Sequence, residues 1–556
     1  GSVTLLATDK TGTLTQNQMV VEWAWTPDGE FCFSGTGYDP RGEVHAVRPS
    51  TSSAGLERLL AAAVLCNDAA IEPDTRATSG WRAAGDPTEA ALVVAASRFG
   101  IATEAVRRDA PRAGEVPFDS TRAWMATVHR VPGSAAPAYR TFFKGAPERI
   151  LGGCPAGASA VAAQEWSDLR ATAGYRVLAV AELPGEGTGE QLPRGLTLLG
   201  LLAMTDPPRL GTDRVLDSLH QAGVRVVMMT GDHPSTAAAI AERVGIHGEV
   251  ADTSQLGEAD IEPVAVFARV RPELKLTLVR RWQRAGQVVA VTGDGVNDGP
   301  ALRQADIGVA IGRSGTEVAR QAADLVLTDD RLETVVHAIE EGRRIQDNLR
   351  RFLRYALSGG LAEVLYMLVA WASGVVAPLT PGQILWINML THGLPGVALG
   401  AEPAERDALS RPPRHPDSPV LDRPLGRQIA VAGTLIAATA VAAELTAQAF
   451  GEDSRTASFL VLGLAQLGLA FGIRDRGTAT RNWFLTATAL AAMGLMATAF
   501  ALPPLRGLLH TETLSAQLLV WLVPLAALPG LVIHAAKRQS GAAKSADRAA
   551  QAGSRQ

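Results

Sequence analysis

The stretch Val3-Thr4-Leu5-Leu6-Ala7-Thr8-Asp9-Lys10-Thr11-Gly12-Thr13-Leu14-Thr15 decides the fold: a short β-branched and apolar run ends on a carboxylate and passes at once into a Thr-Gly turn. In open α/β sheets the chemistry gathers at such C-terminal strand ends. From Asp206 onward an alternation resumes that supplies the sheet. It predicts helices over 212–222, 235–244, 273–285 and 301–305, and strands over 224–229, 264–268, 288–292 and 307–310. Strand and helix repeats at that spacing imply a parallel, doubly wound sheet. Residues 20–205, with turn-rich stretches at 27–29, 132–137 and 184–189, read as a domain inserted into it.

The second half of the chain has a different composition. Apolar runs recur near 352–376, 384–399, 429–450, 457–473, 484–502 and 514–534, which predicts a bundle of six membrane helices. Basic residues alternate between the connections. Arg406, Arg411, Arg414, Arg423 and Arg427 follow the second run, and Arg474, Arg476 and Arg481 the fourth. The other connections carry one arginine or none, so the soluble half and the C-terminus are expected on the cytosolic side of a cell membrane. The tail after Gln539, rich in Ala, Ser and Gln, reads as disorder. With 52 basic and 56 acidic residues in 556, and a net charge of −4, the chain offers no positive field for nucleic acid. Three scattered cysteines exclude a disulfide framework, and residues 1–8 lack the basic start and apolar length of a signal peptide.

Asp9 can serve as a nucleophile toward a phosphoryl group, forming an aspartyl-phosphate. Thr230-Gly231-Asp232 closes one later strand, and Thr292-Gly293-Asp294-Gly295-Val296-Asn297-Asp298 closes another. Lys275 opens the helix that follows Ala268-Arg269-Val270-Arg271-Pro272. Nucleophile, hydroxyl donors, a lysine and carboxylates for Mg²⁺ are the parts phosphoryl transfer needs. Only five lysines occur in the chain, and Lys10, Lys144 and Lys275 fall inside motifs, where a compact ammonium suits contact with a phosphate.

These motifs together resemble those of the P-type ATPases, nearly end to end. The resemblance implies a haloacid-dehalogenase-like α/β phosphorylation domain over 1–19 and 206–345 and an inserted α+β nucleotide-binding domain over 20–205. The membrane helices then occupy 346–538, and the cytosolic tail 539–556. Asp206-Pro207-Pro208-Arg209 matches the hinge by which the inserted domain returns. Asp9, Lys10, Thr11, Thr230, Gly231, Asp232, Lys275, Asn297 and Asp298 then form the catalytic set, with Mg²⁺ on Asp9, Thr11 and Asp294. Gly85-Asp86-Pro87-Thr88-Glu89, Pro117-Phe118-Asp119-Ser120, Lys144-Gly145-Ala146-Pro147-Glu148 and Gly174-Tyr175-Arg176-Val177-Leu178 match the ATP-binding elements. By resemblance Phe118 stacks on adenine, Glu89 faces its amino group, Lys144 lines the pocket, Arg176 reaches the phosphates, and Arg269 joins them. Ala123 stands where relatives often have a basic residue, which implies weaker ATP binding.

The membrane half resembles the calcium-pump-like branch through the stretch from Pro381 to Pro395. Asn388, Thr391 and His392 share one helix face, and Gly393 and Pro395 loosen that helix. Glu363 lies within an apolar run, and an intramembrane carboxylate is costly unless something binds it. With Gln466 these residues form the expected site of a transported cation, divalent, with Ca²⁺ as the first expectation. Calcium pumps of the branch carry an aspartate at the position of His392 and an asparagine at that of Gly360; an imidazole suits Mn²⁺, Zn²⁺ or a proton better. The family's actuator domain and first membrane helices have no counterpart ahead of Asp9, so the sequence reads as the C-terminal part of a pump, either truncated or one half of a split protein with the missing N-terminal half as a partner, and unaided turnover is expected to be slow. The competing reading is a membrane-tethered phosphohydrolase or a non-transporting truncated partner.

Overall fold

The computed structural model describes the chain apart from residues 49–50, 75–79, 132–137, 187–188, 190, 256–260, 314, 375–377, 416, 475–481 and 554–556, with 538–553 given by backbone. The expected linker at 132–137, two residues of the one at 184–189, Arg476, Arg481 and the last three residues of the tail lie outside the described residues. The chain forms two compact units, one of residues 3–220 and 224–335, the other of 336–556 with 1–2 and 221–223.

In the first unit, seven parallel strands form one sheet: β1 Leu5–Asp9, β2 Arg225–Met229, β3 Glu249–Asp252, β4 Val264–Ala268, β5 Val289–Gly293, β6 Ile307–Ile311 and β7 Leu325–Leu327, in the order β3-β4-β2-β1-β5-β6-β7. β1 is central and its Leu5, Leu6 and Ala7 are all buried, as a strand covered on both faces requires. Helices Thr212–Gln221, Pro234–Val244 and Pro272–Arg284 make crossovers, two of them opening on a proline whose missing N–H costs nothing at that position. Phe267 and Trp282, edge to face at 5.7 Å, pack with Leu5, Val227 and Met229 between sheet and helix. β3 and β7 are additions to the sequence-based expectation.

An eight-stranded antiparallel sheet is inserted between β1 and β2. Its order runs Val44–Ala46, Gly29–Phe33, Val20–Thr26, Thr197–Thr205, Arg176–Pro184, Ala138–Gly145, Trp124–Val131, Arg112–Asp119. The two segments that enter and leave it are tied together. Thr15 pairs with Pro208, the Thr15 hydroxyl donates to Asp206 at 2.5 Å, and the Gln18 amide donates to the same carboxylate at 3.1 Å.

The second unit is helical: α1 Glu333–Ala372, α2 Pro381–His392, α3 Leu394–Gly400, α4 Arg423–Phe450, α5 Ser454–Gly472, α6 Trp483–Ala501 and α7 Ala516–Gly553, with a short helix Pro503–Leu509 ahead of the last. Among the described residues five helices are long and apolar enough to cross a membrane: α1, α4, α5, α6 and α7. The expected sixth, over 384–399, is two short helices. Gly393 leaves helical geometry at φ −69 and ψ −111, and Pro395 brings no N–H to continue the ladder. The tail also differs from expectation, since α7 continues as helix to Gly553. Alanine-rich sequence is a good helix former.

Candidate functional site

Register places the site. Asp9 lies beside Met229 on β2, and Thr8 beside Thr292 on β5, so the two Thr-Gly-Asp turns flank the carboxylate where β1 ends. The Lys10 amide donates to Asp9 Oδ1 at 2.8 Å, and Lys275 Nζ lies 3.0 Å from Asp9 Oδ2 and 2.7 Å from Asp298 Oδ1. Lys10 pairs with Asp232 at 2.8 Å, and the Asp232 amide donates to the Thr230 hydroxyl at 3.1 Å. Gly231 and Asn297 are exposed, Asn297 in the turn Val296–Asp298. Thr11 stands half-buried in the loop after Asp9. Gly12 has φ +69, and a Cβ there would lie 1.8 Å from Asp294 Oδ2, so only glycine admits the carboxylate.

The electrostatics follow from burial. Asp9 is raised above the ordinary carboxylate range by burial, with the Lys275 ammonium opposing that and Asp298 adding to it. Burial pulls Lys275 down, but the carboxylates of Asp9 and Asp298 outweigh it and hold the ammonium above its usual range. Burial, with the like charges of Asp9 and Asp298, pushes Asp294 up to about 6. The oxygens of Asp9, Asp294 and Asp298 lie within 4.8 Å of one another. Asp298 has Lys275, whereas Asp294 forms no ion pair among the described residues, so the donor set fits a hard, oxygen-seeking divalent cation.

A pH dependence follows. A carboxyl held at about 6 when folded, against 3.8 ordinarily, binds more protons folded than unfolded between those values. The metal-free fold therefore loses stability as pH rises through that window, and the lost stability returns when a divalent cation binds. A divalent cation bound at Asp294 would have to displace this proton at low pH, so Mg²⁺ affinity is expected to fall about tenfold per pH unit below 6. Isothermal titration against Mg²⁺ from pH 5 to 8 checks this. Asp294→Asn should flatten the profile.

One supporting residue was not anticipated. Arg209 donates to the carbonyls of Gly12 at 2.6 Å and Thr15 at 3.1 Å, holding the loop after Asp9. The sequence marked it through Asp206-Pro207-Pro208-Arg209, read only as a hinge.

In the inserted sheet, Glu89 at the first turn of helix Pro87–Arg98 pairs with buried Lys144 at 2.7 Å and accepts from the Asp68 amide at 2.9 Å. Arg176 donates to Thr88 at 3.3 Å, which brings the three expected polar residues around one helix start. Phe118 is 59% exposed, on the edge strand two places from that of Lys144. Ala123 holds φ 58, an uncommon conformation for a residue with a Cβ. Arg269 stands elsewhere, at the end of β4. Its guanidinium lies 3.3 Å from Asp252 and its amide donates to the Asp232 carbonyl.

In the helical unit Glu363 accepts from Asn388 at 3.1 Å and from Gln466 at 3.0 Å. His392 Nε2 lies 3.1 Å from the Ala356 carbonyl, while the Thr391 hydroxyl donates back to Ile387 at 2.9 Å. A Cβ on Gly359 would meet Gln466 Oε1 at 2.8 Å and His392 Nε2 at 3.1 Å. Gln466 Oε1 is buried without a hydrogen-bond partner. These groups converge on the bare backbone of Gly359. A Cβ at Gly360, the position singled out in the sequence, would meet nothing within 4 Å.

Residues 55–211 match the family described as P-type ATPase, cytoplasmic domain N, and residues 376–539 match Cation transporting ATPase, C-terminus. A Mycobacterium tuberculosis protein named "Probable cation-transporting ATPase F" is 41% identical over 537 residues, covering 90% of this chain and 58% of its own length. The "Calcium-transporting ATPase" of Bacillus subtilis is 35% identical over 570 residues, 96% of this chain and 63% of its own. The human "Calcium-transporting ATPase type 2C member 1" is 33% identical over 576 residues, 97% and 60% respectively. The chain thus spans between 58% and 63% of the length of these relatives.

Proposed function

Because this chain belongs to the P-type ATPases, on the calcium-pump-like branch, we propose that it is the catalytic and membrane part of an ATP-driven cation transporter that works through an aspartyl-phosphate on Asp9. The carrying observation is the convergence at the end of β1, where Lys275 bridges Asp9 and Asp298 between two Thr-Gly-Asp turns. An Asp9 oxygen attacks the γ-phosphorus of ATP in line, the bond to the β-phosphate bridge breaks, and ADP leaves. Lys275 and the turn N–H groups offset the charge on the equatorial oxygens, with Thr230 supplying a hydroxyl. Asp9, Thr11 and Asp294 would hold Mg²⁺, whose charge offsets that of the phosphates when bound.

In this reading residues 1–19 and 206–345 are the haloacid-dehalogenase-like phosphorylation domain, and residues 20–205 bind ATP through Phe118, Glu89, Lys144 and Arg176. The soluble unit faces the cytosol, and α2 with α3 makes one of six crossings. The cation is divalent, Ca²⁺ the first candidate, bound by Glu363, Asn388, Thr391, His392 and Gln466.

The phosphoenzyme formed from ATP is expected to survive acid and to be released by hydroxylamine, because an acyl phosphate has that lability. Phosphate that resists hydroxylamine would place it on a hydroxyl and end this reading. Phe118→Ala should raise the ATP concentration for half-maximal labelling about tenfold, the scale of losing one base–aromatic stack. An unchanged ATP titration would move adenine elsewhere.

A further inference from the structure

The inserted antiparallel sheet meets the domain of the parallel sheet at a third place, apart from the two segments tied through Asp206. The turn between helix Ala158–Thr172 and strand Arg176–Pro184 rests on helix Pro234–Val244. Gly174 makes the approach possible: it is buried with φ +85, and a Cβ there would lie 2.7 Å from that of Ala239. Two connecting segments alone leave the insert free to rotate about the line between them, as hinges do. A third contact removes that rotation.

Polar groups close the contact. Glu22, four residues beyond Gln18 in strand Val20–Thr26, accepts from the Tyr175 hydroxyl at 2.7 Å, and both its oxygens lie 3.2 Å from one guanidinium nitrogen of Arg243. A second nitrogen of Arg243 reaches the hydroxyl of Thr205, next to Asp206, at 3.5 Å. The same guanidinium lies 5.5 Å from the centre of the Tyr175 ring, within cation–π range. Tyr175 itself is fixed, since its oxygen accepts from the Trp23 indole at 3.3 Å while its proton goes to Glu22. Trp23 in turn stacks on Arg170 at 3.9 Å. Burial, together with the Glu22 carboxylate, raises the phenol above its ordinary range, so it remains a donor. An exposed ion pair alone holds little. Here the side chains of Arg243 and Glu22 are 33% and 24% exposed, and Tyr175 already orients the carboxylate within the insert.

This contact joins two parts of the chemistry. Tyr175 is followed at once by Arg176, whose guanidinium donates to Thr88 at the helix start that carries Glu89. Arg243 lies at the far end of the helix that opens two residues after Asp232, the partner of Lys10 at 2.8 Å. Rotation of the insert therefore displaces Arg176 relative to the turn beside Asp9.

We propose that Glu22, Tyr175 and Arg243 are positioning residues that clamp the nucleotide-binding insert onto the phosphorylation domain and so set where the γ-phosphate of ATP arrives relative to Asp9. The effect on phosphorylation rests on the function proposed above, whereas the clamp itself does not. None of the three touches the reacting atoms. They act through the orientation of the insert, and misplacement by about 1 Å is enough to cost up to about a hundredfold in rate.

Three readouts on the whole chain test this. Without ATP, hydrogen exchange of the amides at 172–176 and 236–243 should quicken in Arg243→Ala and return toward the original in the charge swap that joins Glu22→Arg with Arg243→Glu. Unaltered exchange in Arg243→Ala overturns the clamp. With saturating ATP and Mg²⁺, the rate of phosphoenzyme formation should fall about tenfold or more in Arg243→Ala and less in Tyr175→Phe, while equilibrium binding of a non-hydrolysable ATP analogue stays unchanged. The swap should recover most of the rate. A rate that is unchanged or raised in Arg243→Ala, or a loss that appears only as weaker binding of the analogue, overturns the positioning role, and a loss that the swap does not recover overturns the pairing of Glu22 with Arg243. Absence of phosphoenzyme in the unaltered protein would instead overturn the proposed function, with hydrogen exchange still deciding whether the clamp exists.

Discussion

Asp9→Asn is expected to reduce phosphoenzyme labelling from ATP to background while leaving the fold and ATP binding in place. Asparagine keeps the shape and can accept from the Lys10 amide, but its neutral oxygen is a poor nucleophile and leaves Lys275 with Asp298 as its anionic partner. The change removes one of three crowded carboxylates, so the protein should melt no lower than before. Labelling that survives would move the nucleophile elsewhere. A folded, ATP-binding, unlabelled variant is the expected combination.

The second large effect is expected in the membrane. Glu363→Gln removes the carboxylate on which Asn388 and Gln466 converge, so a cation held there, as proposed, would lose its charged ligand. Removing one partner from a buried charged pair costs about 3–5 kcal/mol, so the apparent cation affinity should fall at least about a hundredfold. Cation titration of phosphoenzyme formation measures it. His392→Asp restores a second carboxylate and should shift preference toward Ca²⁺, whereas His392→Ala should alter ion preference by removing a nitrogen from the Gly359 backbone cradle. If His392→Ala leaves ion preference unchanged, the histidine only ties α2 to the Ala356 carbonyl.

How much of this was legible in the sequence depends on how local each signal is. β1, β4 and the helix Pro272–Arg284 stood within a residue or two of expectation, because fully apolar strands and a proline-led helix carry their own start and stop. β3 and β7 escaped because they are edge strands of four and three residues; Glu249 and Asp252 in β3 break any apolar run. Hydropathy read 384–399 as one span, since it counts side chains and is blind to the backbone angles of Gly393. Strand-end motifs located Asp9, Thr230 and Asp294. No local pattern could reveal that Arg209 holds the loop after Asp9 from 197 residues away, or that Tyr366 meets Glu444 across 78. Nor did any local pattern mark Gly359, whose bare backbone Gln466 and His392 approach; the sequence singled out Gly360 only as a position where calcium pumps carry asparagine.

The central claim is that ATP hydrolysis through Asp9 drives a cation across a membrane, and flux through liposomes containing this chain reassembled with the missing N-terminal half tests it most directly. Uptake of a divalent cation should begin on adding ATP and Mg²⁺, stop when ATP is exhausted, and vanish in both Asp9→Asn and Glu363→Gln. ATP hydrolysis with no cation movement, or uptake that persists in Asp9→Asn, would contradict it.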